Sequence, residues 1–250
     1  MIDPANLSPW LWLVAPVIVI VAYTVFGVSG FGATAISVPV LAHFLPISYL
    51  VPMVALLDVG ISGLLGLKHR QHISKEELGR LVPWMFVGFA VGATLLVGVP
   101  DQYLRLALGA FTTALGIYSI FNPTLVSAIS KLWAIPAGVI GGAIATVFGA
   151  GGPIYATYLA GRTNDKGVIR STISTLISIS AFSRAVVYAI SGLLLHVAIL
   201  VGALALAPFA WIGLAIGQRI HMGLSTEQLR RAVGFLLVFT GASLLARAFF

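Results

Sequence analysis

Eight long apolar segments joined by short polar connections constrain the fold of this chain more than any other feature. A helix of about 20 apolar residues spans the hydrocarbon core of a bilayer. Only 8% of the 250 residues are charged, whereas a soluble domain averages about 25%, so a soluble enzyme or a nucleic-acid-binding protein is excluded. The sequence predicts an all-α polytopic membrane protein. The apolar segments are residues 10–45, 48–67, 80–98, 102–121, 132–161, 168–191, 195–217 and 229–248.

The first and fifth segments are too long for one membrane crossing, and glycines interrupt both of them. Residues 27–32 read Gly-Val-Ser-Gly-Phe-Gly, and residues 148–153 read Phe-Gly-Ala-Gly-Gly-Pro. Glycine and proline unwind a helix, and a membrane tolerates the freed backbone groups only inside protein or beside a water-filled cavity. We therefore expect residues 10–45 and 132–161 each to form a broken-helix hairpin whose break lies in the protein interior.

The two halves of the chain repeat at an offset of 125 residues (from 83 to 208, for example). Secondary transporters are commonly built from such internal repeats. We predict an N-terminal repeat over residues 1–122 and a C-terminal repeat over residues 131–250, each a hairpin plus three transmembrane helices. In the clearest part of the repeat, Pro83, Gly88 and Gly92 match Pro208, Gly213 and Gly217.

The distribution of positive charge favours inverted repeats over parallel ones. If each hairpin enters and leaves on one side and the N-terminus lies outside, eleven of the fourteen Lys and Arg residues fall in cytoplasmic connections. In the parallel arrangement only five do. Cytoplasmic loops of membrane proteins are enriched in Lys and Arg, so we expect inverted repeats with both termini outside.

Two charged residues, Asp58 and Arg184, lie deep within apolar segments and at nearly equivalent places in the two repeats. A charge at the bilayer centre costs at least about 2.5–3.5 kcal/mol, so each needs a partner or a function. Two interpretations remain open. The pair could be an ion pair that locks the helices together, or Arg184 could attract an anionic substrate while Asp58 serves coupling or gating.

Arg184 shares a polar helix face with Ser180 and Tyr188, since the three are spaced by four residues. A lipid-facing stripe would consist mostly of Leu, Val and Ile. We therefore expect this face to point into the protein.

Each glycine break also begins a new half-helix, near Ala33-Thr34 and near Pro153-Ile154-Tyr155. The first N–H groups of a helix have no partner within the helix, and the helix dipole makes that end positive. Two facing breaks at the midplane would therefore form an anion site; alternatively, the glycines only allow helices to pack closely. The predicted substrate-binding residues are Ser29, Gly30, Phe31, Gly32, Ala33, Thr34, Gly149, Gly151, Gly152, Pro153, Ile154, Tyr155, Ser180, Arg184 and Tyr188.

The sequence predicts neither a metal site nor a cofactor, because it has no cysteine and no pair of its five histidines has metal-ligand spacing on one helix face. We find no acid–base or nucleophile constellation and no phosphate-binding loop, so an enzyme and direct use of ATP are not expected. The expected partners are a small anion and the lipid bilayer, without nucleic acid; a homo-oligomer is left open.

The glycine motifs resemble those of a known family. Gly27-x-x-Gly30-Phe31-Gly32 followed by Val38-Pro39-Val40-Leu41, together with Gly149-x-Gly151-Gly152-Pro153 in the second half, is similar to the TauE/SafE family of sulfite and organosulfonate exporters. The resemblance covers essentially the whole chain. It implies export of sulfite, sulfoacetate or a related sulfonate across the bacterial inner membrane, with the two glycine-rich segments forming the permeation site.

These observations together predict a secondary transporter that works by alternating access around a central anion site. The membrane potential would suffice to drive an anion outward, at about 2.3 kcal/mol per charge per 100 mV, so Asp58 need not titrate. Two alternatives remain: an anion channel of the same fold, and a membrane subunit or sensor that binds a ligand without moving it.

Overall fold

The computed structural model describes residues 9–29, 32–65, 73–121, 129–220 and 226–249. Within these ranges the chain forms helices and no strand. Five of the described helical stretches are long and apolar enough to cross a membrane, which confirms the prediction of an all-α polytopic membrane protein. The α-helices are α1 Pro9–Ser29, α2 Ala33–Leu41, α3 Ile47–Leu65, α4 Lys75–Gly98, α5 Asp101–Phe121, α6 Ala134–Phe148, α7 Gly152–Ala160, α8 Lys166–Ile190, α9 Val197–Ile220 and α10 Thr226–Phe249.

Both overlong segments are broken where the glycines predicted. Gly32 precedes α2 with φ of 98°, and Gly149 ends α6 with φ of 73°. Residues other than glycine rarely adopt these positive φ values. The legs of each hairpin are unequal, because α1 has 21 residues whereas α2 and α7 have 9 each. Nine helical residues span about 14 Å, so each second leg reaches about half-way through a core of about 30 Å.

The second hairpin doubles back on itself. The ring of Tyr155 in α7 packs against Gly141 in α6. At the other end of α7, the carbonyl of Gly161 accepts a hydrogen bond of 2.8 Å from the N–H of Ile129, which precedes α6 in the chain. The two ends of the hairpin therefore meet, and its glycine break forms the tip.

Helices from the two halves pack closely against each other: α1 lies along α9, α4 along α6, and α5 along α10. Where α5 crosses α10, Gly109 faces Gly241 and Gly116 faces Gly234. A methyl group on Gly116 would lie 2.7 Å from the carbonyl oxygen of Gly234, so the absence of a side chain lets the two backbones touch. Residue numbers rise along α5 while those of the facing residues fall along α10, so the two helices are antiparallel.

Helices α3 and α8 pack against each other and bring Asp58 and Arg184 together. The largest apolar cluster surrounds α3 and includes side chains of α1, α2 and α9. Large apolar side chains on the outer surface, such as Leu204 and Phe239, are exposed, as expected where lipid is the solvent. The interior of the bundle therefore keeps its few polar groups away from lipid.

Candidate anion site between the two helix breaks

The two helix breaks meet in the protein interior. Gly149, at the tip of the second hairpin, lies so close to Thr34 of the first that no methyl group would fit on Gly149. Gly32 and Thr34 from the first break line one small cavity together with Gly149 and Gly151 from the second. The tip of the second hairpin therefore lies against the start of α2.

The cavity between the tips has a volume of about 30 Å³, which is about the space of one water molecule. Asp58, Arg184, Ser180 and Tyr155 also form its walls. A sulfite ion or a sulfonate group is bulkier than water. The described side chains therefore leave little free space between the tips.

Asp58 is buried and accepts three hydrogen bonds. The hydroxyl of Tyr23 donates to Oδ1 at 2.8 Å, and the hydroxyl of Thr34 donates to Oδ2 at 2.8 Å. Nη2 of Arg184 donates to the same Oδ2 at 3.2 Å. Burial of a carboxylate is tolerated when it is both paired and hydrogen-bonded. The ion pair considered from the sequence is therefore present in the structure.

Arg184 also binds the end of the helix that leads into the second break. Its Nη1 donates to the carbonyl of Ala145 at 2.9 Å, and its Nε donates to the carbonyl of Ser180 at 3.4 Å. Ala145 lies in the last turn of α6, where its carbonyl also accepts the N–H of Gly149 at 2.8 Å and the helix dipole favours a positive charge. One buried guanidinium thus connects α3, α6 and α8.

Both half-helices begin at the cavity without a side-chain cap. Gly32 precedes α2 and Gly151 precedes α7, and neither can supply a capping oxygen. The first N–H groups of such a helix are available to an anion. Because Pro153 lies in the first turn of α7 and lacks an N–H, α2 offers more backbone donors than α7 does.

The hydroxyl of Tyr155 is buried and has no hydrogen-bond partner among the residues that the structure describes. A buried hydroxyl left unpaired costs about 1–3 kcal/mol. Since Tyr155 forms part of the cavity wall, a ligand oxygen in this cavity would be a suitable acceptor.

Some of the predicted site residues have other positions. The hydroxyl of Tyr188 donates to the carbonyl of Thr146 at 2.6 Å, so this side chain fastens α8 to α6 beside the cavity. Ile154 lines a different, larger cavity. Gly30, Phe31 and the side chain of Ser29 lie outside the described residues.

The larger cavity has a volume of about 710 Å³ and lies between α5, α6 and α7. Its walls are mostly apolar and include Phe111, Tyr118, Trp133 and Thr157. Pro153 forms part of the wall of both cavities. The large cavity therefore approaches the central one from one side.

Two residues, Tyr23 and Glu77, belong to buried polar networks that the sequence pattern did not indicate. Tyr23 stands in the apolar run of α1 without a charged neighbour, and nothing in the pattern indicated that it reaches Asp58. Glu77, in the first turn of α4, accepts hydrogen bonds from Tyr158 at 2.6 Å and from Arg162 at 3.0 Å. The bond to Glu77 raises the pKa of Arg162 above its usual range. These contacts tie the end of α7 to the start of α4.

Comparison with known proteins gives a family for this chain. Residues 15–244 match the family described as Sulfite exporter TauE/SafE. A relative from Comamonas testosteroni, named "Probable inner membrane transporter protein TsaS", is 25% identical over 193 residues, which is 77% of this chain and 81% of the relative. No solved structure gives a significant match. Because the family match covers residues 15–244, which is most of the chain, the chain belongs to the TauE/SafE family of membrane transporters.

Proposed function

We propose that this protein exports a small sulfur oxyanion or sulfonate across the bacterial inner membrane by secondary transport. One observation carries the proposal: the two helix breaks meet at a buried arginine, next to the uncapped start of α2. The family description supports sulfite or a chemically similar substrate, and the name of the Comamonas relative supports the inner membrane.

The cavity offers three kinds of donor to an anion. The guanidinium of Arg184 can give charge-assisted, forked hydrogen bonds to two oxygens of one sulfonate group. The first N–H groups of α2 add backbone donors with a favourable dipole. The hydroxyl of Tyr155 supplies a further donor that the described protein groups do not use.

A difference between the two sides of the site supports alternating access. On one side, the end of α2 is held against α10, where His43 Nε2 and Ser243 Oγ are 3.1 Å apart. On the other side, the equivalent pair in the repeat is α7 and α5, which are separated by the large cavity and linked by a contact of 3.3 Å between Tyr118 and Thr157. In a carrier whose site is accessible from one side of the membrane, we expect one helix pair to be in contact and its counterpart in the other repeat to be separated. The pair α2 and α10 and the pair α7 and α5 differ in this way.

The glycine contacts between α5 and α10 support the inverted arrangement of the repeats. By the offset of 125 residues, Gly109 corresponds to Gly234, and Gly116 corresponds to Gly241. In the structure each glycine faces the counterpart of the other, Gly109 with Gly241 and Gly116 with Gly234. A two-fold axis perpendicular to the helices would produce this pairing. With the N-terminus outside, the large cavity lies on the cytoplasmic side of the central site, where an exporter receives its substrate.

The proposal is tested with purified protein in proteoliposomes loaded with labelled sulfite, sulfoacetate or methanesulfonate. We expect saturable efflux that an inside-negative potential accelerates, and counterflow of the label when unlabelled anion is present on the other side. Flux without saturation or counterflow would favour the channel. Binding without flux would favour the non-transporting subunit, and neither binding nor flux with any of these anions would overturn the proposal.

A further inference from the structure

The charge of Arg184 creates a problem for a carrier that has released its substrate. A carrier returns to its loading side with an empty site, and a guanidinium without a counter-ion is unfavourable in the membrane interior. An obligatory exchanger avoids this step because it returns with another anion bound. A net exporter needs something in the protein to replace the anion.

Asp58 has the contacts expected of such a replacement. Its carboxylate binds Arg184 and accepts the hydroxyl of Thr34 in the first turn of α2, so it uses donors at the place where the anion is proposed to bind. It also forms part of the cavity wall between the two breaks, and the remaining space is only about 30 Å³.

We propose that Asp58 is the internal anion of this site: its carboxylate holds Arg184 when substrate is absent, and Arg184 exchanges it for the substrate when substrate binds. This inference rests on the proposed function. The exchange leaves Asp58 beside Arg184 with the hydroxyl groups of Tyr23 and Thr34 as donors, so a site loaded with a singly charged sulfonate has one net negative charge, which an inside-negative potential drives outward. When substrate is absent, the pair of Asp58 and Arg184 leaves the site without net charge. The carrier can then return to its loading side without a bound anion, which makes net export possible.

A purely structural ion pair would be placed differently. It would fasten two helices away from the substrate path, and substrate would not need to disturb it. Here both partners line the cavity, and Arg184 also binds the carbonyl of Ala145 in the last turn before the second break. If Arg184 exchanges Asp58 for the substrate, the contacts at both helix breaks therefore change.

The test compares two fluxes of labelled methanesulfonate, a sulfonate with one fixed negative charge. Net efflux is measured into anion-free medium, and exchange is measured into medium that contains unlabelled methanesulfonate. In the wild type we expect both. In Asp58→Asn we expect exchange to persist while the ratio of net efflux to exchange falls at least about tenfold, and the affinity for methanesulfonate to rise about tenfold, because the competing carboxylate is gone.

Glu77→Gln is the matched control, because Glu77 is another buried carboxylate with arginine partners, Arg80 and Arg162, and is not among the residues lining the central cavity. We expect its ratio of net efflux to exchange to equal that of the wild type. An equal loss of both fluxes in Asp58→Asn, with an unchanged ratio, would overturn the inference and leave Asp58 as a structural residue.

The wild type provides a second measurement if Asp58→Asn does not fold. Net efflux into anion-free medium supports the inference, whereas wild-type protein that exchanges anions but shows no net efflux overturns it and leaves the proposed function standing. Wild-type protein that neither binds nor moves any anion removes the proposed function and this inference together.

Discussion

Arg184 is tolerated in the membrane interior because Asp58 and two backbone carbonyls accept hydrogen bonds from its Nε, Nη1 and Nη2 atoms. The same arrangement makes the residue sensitive to substitution, since removing one partner of a buried pair leaves the other charge unsatisfied. That penalty is about 3–5 kcal/mol in measured cases. Binding and stability therefore depend on the same side chain and have to be measured separately.

Arg184→Ala is expected to abolish anion binding and to lower the free energy of unfolding by about 3–5 kcal/mol, because Asp58 remains buried without its cation. Calorimetric titration gives the binding, and thermal melting in detergent gives the stability. Arg170→Ala is the control, since Arg170 lies exposed on the same helix. Unchanged anion affinity in a folded Arg184→Ala protein would remove Arg184 from the site.

Tyr155→Phe should separate affinity from stability. Removing an unpaired buried hydroxyl is expected to leave the melting temperature unchanged or raised, while the loss of a hydrogen bond to a charged ligand, about 1.5–3 kcal/mol, weakens anion binding about 10- to 100-fold.

Tyr158→Phe provides the comparison for Tyr155→Phe, because the hydroxyl of Tyr158 donates to Glu77 at 2.6 Å. We expect this variant to lose stability and to keep its anion affinity. If Tyr155→Phe binds the anion as well as the wild type does, its hydroxyl does not contact the substrate.

At the scale of elements, the two glycine breaks determine where the polar groups meet. Hydropathy and glycine spacing were sufficient to predict the broken segments, because unwinding at glycine is a local property. They did not predict that α2 and α7 are only nine residues long. The length of each leg depends on where the returning chain meets its neighbours, as Gly161 meets Ile129, and hydropathy alone does not contain that information.

Gly149→Ala is expected to disrupt the meeting of the tips, because Gly149 has φ of 73° and lies against Thr34. The left-handed conformation alone costs an alanine about 1–2 kcal/mol, and the clash adds to it. We expect a lower melting temperature and loss of flux in proteoliposomes.

Gly60→Ala is the matched control for Gly149→Ala, since no atom of another described part of the chain lies within 4 Å of where its methyl group would be. Alanine is favoured over glycine in a helix by about 0.5–1 kcal/mol, so this variant should keep its flux and melt at the same or a higher temperature. Full flux in Gly149→Ala would show that close contact of the tips is dispensable.

At the scale of the whole molecule, the two sides of the central site differ. The end of α2 is anchored by hydrogen bonds from Arg105 to the carbonyls of Ala42 and Leu45 and by Asp101, which accepts from the N–H of Ile47 at 2.7 Å. A large cavity occupies the other side. If the protein is a carrier, the closed side must open during each cycle.

Cross-linking across the closed side tests this movement. The chain has no cysteine, so the double variant His43→Cys with Ser243→Cys presents the only two thiols to a cleavable cross-linking reagent. We expect the cross-link to stop flux, and cleavage of the reagent to restore it.

Each single-cysteine variant, treated in the same way, should keep its flux. Full flux through the cross-linked protein would mean that the contact between α2 and α10 does not open during transport.

The membrane-spanning helices, the two interrupted segments and the two deeply placed charges could be predicted from the amino-acid pattern, because hydropathy and the conformational freedom of glycine act over a few neighbouring residues. The pairing of Asp58 with Arg184, the hydrogen bonds from Tyr23 and Thr34 to Asp58, and the contacts that hold α2 against α10 became visible only in the folded molecule. Those contacts join segments that are far apart in the chain, 126 positions in the case of Asp58 and Arg184. They depend on how the helices pack, and no local pattern encodes that packing.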